Sequence, residues 1–542
     1  MNDSGMTFRF RRNAKIGEAA AEEDDEFLFS SFLDVGDYGE LRNTRSPQRI
    51  IVGRTGSGKT ALLRYLSHTE EHVVEVEPEH LALNFISNNE VIQFFEEMGV
   101  KLDLFYSLLW KHVLAVELLK SRYSLHTEEK TKTWIAGILD VFKKKDQSKE
   151  KALGYLSQWG DRFWIETENR IKELTTKMAG ELTANAGVTS GMISAGAKAT
   201  ASMSEEARQE IIHRGQAVVN KVQLKELSDV LRFLHEDVFT DTQRPYFVTI
   251  DKLDENWVDD ALRYRLIRAL IDTVKSFQKV QNVKVVVALR QDLLRKVFTE
   301  TADGGFQEEK YEALFLRLRW SKRQIENLVD KRLGVLVRKQ YSNRPLGLKE
   351  LFPEKVGRSE FLDFFIQRTA LRPRDAILFV NDCIVRSEEY GKVRVQTVFE
   401  AERAYSELRK TSLIYEWKRI YPSLGRCLAL LERQPAEFKV SSIDSSLLDN
   451  LIGELAETLG TSDSAILACQ QYMRLISGSR HAVAADIFRM FFDVGAIGLR
   501  LEGGSGPIWS IDGNMPTSGA IKPSSKAMIH PMFYQALHTS FP

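Results

Sequence analysis

Cysteine is nearly absent from this 542-residue sequence: Cys383, Cys427 and Cys469 are widely spaced and odd in number. That excludes a disulfide framework and a cysteine zinc site, and it fits a reducing, cytoplasmic compartment. No His/Cys cluster has metal-ligand spacing and no Gly-x-Ser-x-Gly element occurs, so nothing points to a nuclease or protease centre. Net charge is missing as well. Lys+Arg and Asp+Glu both total 75, so no overall field draws the molecule to nucleic acid or anionic lipid, and only a local basic surface stays open. No apolar run approaches the ~20 residues of a membrane span, and the stretch MNDSGMTFRFRRNAKIG has no signal-type apolar core. No membrane partner is expected. Proline is scarce, and none falls between Pro78 and Pro245, where helical periodicity dominates.

What is present is a phosphate loop. Gly53-Arg54-Thr55-Gly56-Ser57-Gly58-Lys59-Thr60 fits G-x-x-x-x-G-K-[ST] at every fixed position. Ile50, Ile51 and Val52 before it read as a buried strand, and Ala61, Leu62, Leu63 and Leu66 after it recur at helical spacing. The glycines let backbone N–H groups turn inward on a phosphate. Lys59 reaches the β- and γ-phosphates of ATP, Thr60 is placed to hold Mg²⁺, and the helix N-terminus adds a favourable dipole. Further on, Tyr246 to Ile250 is a β-branched and aromatic run ending in Asp251, the form of a strand whose aspartate holds Mg²⁺. Val283 to Leu289 is another buried strand, ending at Arg290. Strands alternating with helices predict an α/β P-loop core with a parallel sheet and the ligand at the carboxyl ends of its strands.

The chain in order reads as five regions. Residues 1–25 mix Arg9-Phe10-Arg11-Arg12 with Glu22-Glu23-Asp24-Asp25, a solvated mobile arm in preference to a nucleic-acid arm. Residues 26–90 and 240–310 form the ATPase core, Val73 to Val76 being its second strand. A large helical insertion fills 91–239 and contains a Gly/Ala-rich ribbon or loop over 181–204, either a partner contact or a flexible excursion. A helical lid follows over 311–432. Residues 433–542 read as winged-helix-like: helices, then a strand over 495–501, a turn at Gly503-Gly504-Ser505-Gly506 and a return strand over 508–511. Such modules contact DNA or protein, and this hairpin has few basic residues. His530 is expected to be a packed C-terminal residue.

The order of phosphate loop, helical insertion, Asp251-Lys252-Leu253-Asp254-Glu255-Asn256-Trp257, Leu289-Arg290-Gln291-Asp292, LRLRW, LRPRD and HPMF resembles a bacterial P-loop ATPase family of cyanobacterial type, near the AAA+ and STAND-type signalling ATPases. The resemblance covers nearly the whole chain. It implies that Arg290 is a γ-phosphate sensor, that Arg372 or Arg374 reaches the nucleotide from the lid, and that Arg319 is an arginine finger serving a neighbouring subunit of a homo-oligomer. It also implies an association with host-defence genes. One departure stands out: Lys252 occupies the position where related ATPases carry a second acid to orient water. Asp254 or Glu255 is the nearest substitute; without either, turnover is slow and ATP acts as a conformational ligand. The function expected is an ATP-driven switch that assembles and signals to an effector protein. The alternatives are a DNA-associated ATPase of initiator type and an ATP-binding scaffold with negligible turnover.

Overall fold

The computed structural model describes residues 8–78, 99–123, 231–255, 257–302, 308–339, 346–458, 463–474, 479–504, 506–512 and 515–540, with scattered positions between 154 and 216. The chain divides into two compact units, residues 34–319 and residues 1–33 with 320–542.

The first unit is built on β1 (Ile50–Gly53), α1 (Lys59–Thr69), β2 (Val73–Val76), α2 (Asp103–Tyr123), β3 (Tyr246–Ile250), α3 (Asp260–Phe277), β4 (Val283–Arg290), α4 (Gln291–Glu300) and β5 (Phe315–Arg317). The strands form one sheet in the order β2-β3-β4-β1-β5, and every pairing in it is parallel. All residues of β1 and β3 are buried, and in β4 only Arg290 at the end is not. Continuous apolar strands of this kind belong to parallel sheets covered on both faces. The expected α/β P-loop-like core is therefore present, and one of its boundaries shifts here. Residues 315–317, expected in the lid, are the edge strand β5 beside β1.

Two buried cations hold the segment that leads into β1. Lys284 in β4 donates to the carbonyl oxygens of Glu40 and Asn43 at 2.6 and 2.8 Å, and Arg49 donates to those of Val283 and Thr44. Burial pulls the Lys284 ammonium down to about 7 and the Arg49 guanidinium down to about 10.

Of the insertion, α2 is the largest described piece, and it belongs to the core. It buries residues on every side, from Phe105 to Leu119, as a helix apolar all round must. The Trp110 indole donates to the carbonyl of Leu266 in α3 at 2.9 Å. The ribbon over 181–204 lies outside the described residues.

In the second unit, α5 (Lys322–Lys339), α6 (Phe361–Thr369), α7 (Pro373–Val385) and α8 (Val395–Trp417) form the helical part. The expectation of a mobile arm fails for residues 8–25. Phe10 and Ile16 are fully buried. Phe10 exchanges backbone hydrogen bonds with Tyr390 and Glu389, and the Asn381 amide bridges Ile16 N and Gly17 O at 2.8 Å each. The charge clusters that read as a solvated run alternate with apolar anchors, whose partners lie more than 300 residues further on. A short helix, Asp25–Ser31, continues the same packing, with Phe27 in this unit's core. Residues 26–33 thus leave the ATPase core to which they were assigned.

The C-terminal part holds α9 (Ser445–Ala456), α10 (Ser464–Met473) and α11 (Arg480–Asp493), started by side-chain caps from Asp444, Asp463 and Ser479. A three-stranded antiparallel sheet, β6 (Glu437–Lys439), β7 (Ile497–Arg500) and β8 (Lys526–Ile529), has β8 in the middle. The return strand of the hairpin is therefore β8 and not 508–511, of which only Ile508 pairs, with Leu499. In α11, Val483, Ala484, Ala485, Ile487, Phe488, Met490, Phe491 and Phe492 are buried. His530 caps the turn Pro531–Phe533 through Nδ1, which accepts from Met532 N at 3.2 Å. Among the described residues no helix is long and apolar enough to cross a membrane.

Candidate functional site

The site lies at the carboxyl ends of β1, β3 and β4. Gly53 ends β1, and an added Cβ there would stand 2.3 Å from the Ser57 hydroxyl, so a larger residue would require the Ser57 side chain to move. Gly56 and Gly58 hold φ of 77° and 96°, the left-handed conformation that side chains other than glycine resist. Gly58 then caps α1, leaving the first N–H groups of the helix unpaired within it, as an anion site requires. Arg54, Thr55, Ser57 and Thr60 complete the loop.

Lys59 is half-buried, and its ammonium donates to the carbonyls of Gly53 and Arg54 at 3.2 and 3.1 Å. Burial lowers its pKa first of all, while Asp251, Asp254 and Asp292 act upward and Arg290 downward. A lysine that gives its protons to two carbonyl dipoles in an acidic surround retains much to gain from a phosphate. The Thr60 hydroxyl donates to Asp251 Oδ2 at 2.7 Å, which sets the two expected metal ligands side by side. That donor set fits Mg²⁺, which takes one or two protein oxygens and fills the rest of its shell with phosphate and water. Burial raises the Asp251 carboxyl above its ordinary value, against the hydrogen bonds from Thr60 and the Lys252 N–H and the charge of Lys59.

Lys252, the residue out of pattern, has a φ of 60°, a left-handed backbone that a side chain other than glycine adopts only when its surroundings enforce it. Its N–H returns to Asp251 Oδ1 at 2.8 Å. The residues that follow are anchored through Leu253 and Trp257, both buried, with the Trp257 indole donating to Leu253 O at 3.2 Å. This turn exposes Asp254 and Glu255, and Arg290 Nη1 donates to Asp254 Oδ2 at 3.2 Å.

Arg290 is already engaged. Its Nε and Nη2 donate to the two oxygens of Asp292 at 3.1 and 2.7 Å. Burial works against its charge, yet the two carboxylates outweigh burial and raise its pKa. Asp292 was not singled out as a site residue from the sequence. The only signal was an acid two positions after the arginine, and that spacing forms a fork only where a strand turns directly into a helix, as β4 does into α4.

Arg319 is exposed, two residues beyond β5, where Leu318 N donates to Val52 O at 2.9 Å. Arg372 and Arg374 belong to the second unit and are occupied there. Arg372 lies 3.7 Å from Asp375, which Arg409 also approaches at 3.2 Å, and Arg374 donates to the carbonyl of Ala19.

Sheet, loop and paired carboxylate define an α/β core of P-loop type, carried on a chain with a helical C-terminal unit. Residues 323–414 match the FunZ-associated C-terminal helical domain. Among solved structures, the chain is similar to a Walker-type ATPase of Pyrococcus abyssi, at 11% identity and a TM-score of 0.36, over 98% of this chain and 100% of that one. No curated protein matches it.

Proposed function

We propose that this protein binds ATP with Mg²⁺ and hydrolyses it, using the nucleotide as a conformational switch. The observation that carries the reading is the Thr60–Asp251 hydrogen bond at the mouth of a closed phosphate loop, because it brings together two residues far apart in sequence in the pairing that a metal–phosphate complex needs. The loop N–H groups and Lys59 would hold the phosphates, and Thr60 and Asp251 would hold the metal, which would supply charge neutralisation. Asp254 takes a proton from the attacking water. The water oxygen forms its bond to the γ-phosphorus as the bond to the bridging oxygen breaks, giving ADP and phosphate. Glu255 is the alternative base.

Asp251→Asn is expected to lower Mg²⁺-dependent phosphate release about a hundredfold or more, while a calorimetric titration with ATP in EDTA changes by no more than a few-fold. Equal turnover in the variant would remove Asp251 from the site. Asp254→Asn, or Glu255→Gln if the base lies there, should slow turnover by a similar factor and leave ATP bound.

The switch reading extends to assembly and signalling to an effector protein, with host defence as its setting and the cyanobacterial-type affiliation as its family. These rest on the motif resemblance, as does the nucleotide-sensing role of Arg372 and Arg374. For assembly the supporting feature is Arg319, an exposed arginine beyond the edge strand next to the phosphate loop. An arginine aimed at the γ-phosphate from a second copy stabilises the transition state by ~10³-fold or more. Arg319→Ala should keep ATP binding and lose turnover. Mixing it with Lys59→Ala at constant total protein should restore part of the rate, since mixed interfaces then contain one intact Lys59 and one intact Arg319. A mixture no faster than its components would assign Arg319 to its own subunit.

A further inference from the structure

Arg290 is held by two carboxylates of unequal grip. Asp292 takes the forked side of the guanidinium through two bonds, at 3.1 and 2.7 Å. It sits in the first turn of α4, two residues after Arg290, so the geometry between them is set by the strand-to-helix turn itself. Asp254 has one bond of 3.2 Å to the remaining Nη1 and comes from the loop after β3. The side chain of Asp292 is 19% exposed and that of Asp254 is 38% exposed. A two-bond charged fork on a fixed element holds more firmly than one longer bond to a half-exposed loop side chain. Asp251, Asp254, Asp292 and Arg290 all act on the charge of Lys59, the side chain that would meet phosphate.

Resting on the ATP reading above, we propose that Arg290 is a two-position relay in which Asp292 is the fixed positioning residue and Asp254 the exchangeable partner. With ADP or no nucleotide, Nη1 stays on Asp254 and occupies the carboxylate that would otherwise take a proton from water. When a γ-phosphate oxygen is present, Nη1 passes to it, while Nε and Nη2 stay on Asp292. Asp254 is then freed to act as base. One movement thus senses the third phosphate and arms the catalytic carboxylate. The lysine at position 252 ceases to be an anomaly, because the acid is supplied from position 254 and only in the triphosphate state.

The two carboxylates of the same arginine therefore have opposite effects on nucleotide choice. Asp254 competes with the γ-phosphate for Arg290, whereas Asp292 holds Arg290 ready for it. The measurement is calorimetric affinity for Mg²⁺ with the imido analogue of ATP, divided by affinity for Mg²⁺ with ADP, which needs no turnover. Asp254→Asn should raise this ratio roughly fivefold, on the scale of a partly exposed ion pair. Asp292→Asn should lower it by a similar factor, toward the value for Arg290→Ala, and the charge-keeping Asp292→Glu should stay nearer wild type. Ratios that shift in the same direction in Asp254→Asn and Asp292→Asn, or an unchanged ratio in Asp254→Asn, would overturn the relay and leave ATP binding untouched. Should Asp292→Asn not fold, the rise or its absence in Asp254→Asn still decides. A wild-type protein that binds neither nucleotide, or a Lys59→Ala variant that binds both equally well, would overturn the ATP reading and the relay with it.

Discussion

Lys59→Ala is expected to weaken ATP binding at least about a hundredfold, the scale of removing one partner from a desolvated charged contact, and to leave the thermal unfolding profile nearly unchanged. The separation of the two effects follows from what Lys59 touches. Among the described residues its ammonium donates to the carbonyls of Gly53 and Arg54, and burial already disfavours its charge. The folded protein without nucleotide therefore gains little from this cation, and the charge is held for the phosphates. The residues that secure the loop are others: Leu62, Leu63 and Leu66 bury one side of α1, and β1 is paired on both edges, by β4 and β5. Calorimetric titration of the folded variant decides the matter, and an unchanged affinity would mean that this loop does not hold the nucleotide.

The second large effect is expected far from the phosphate loop in sequence and has no connection with turnover. Arg332 and Asp24 are 3% and 4% exposed and joined at 2.6 Å. Each is further committed: Arg332 Nη1 donates to Ile16 O at 2.9 Å, and Asp24 Oδ1 accepts from Glu18 N at 2.7 Å. Gly17 runs so close over the pair that an added Cβ would lie 2.2 Å from the Asp24 carboxylate. Arg332→Ala leaves a buried carboxylate without its cation, and the cost of that is about 3–5 kcal/mol. The expected result is an early unfolding transition assigned to the unit that contains residues 320–542. Replacing both partners by apolar residues, Asp24→Leu with Arg332→Met, should recover part of the loss, because no uncompensated charge remains. A single variant that melts with wild type would show that the N-terminal segment is not part of that unit.

The phosphate loop was legible in the sequence because its chemistry is local. Eight consecutive residues carry the glycines, the lysine and the threonine, and the backbone conformations they require are fixed by residue type at Gly56 and Gly58. The strands were legible for a related reason, since a fully buried parallel strand must be apolar throughout, as Val283 to Leu289 is. Sequence alone also identified Asp251 and its metal role as an expectation. The pairing of Asp251 with Thr60 is a fact of the tertiary structure.

What only the tertiary structure decided are the contacts between residues that local pattern does not link. Nothing in Arg9-Phe10-Arg11-Arg12 announces that Phe10 and Ile16 will be buried against helices more than 300 positions further on. A charge-rich segment reads as solvated until its partners are known. The wing was assigned to the nearest β-like residues, 508–511, whereas β7 pairs along its length with β8, since strand pairing is selected by the packed core beneath it and not by proximity in sequence. The contact between Asp254 and Arg290 is likewise a fact of the tertiary structure, formed where Lys252 takes a left-handed backbone and Leu253 and Trp257 are buried.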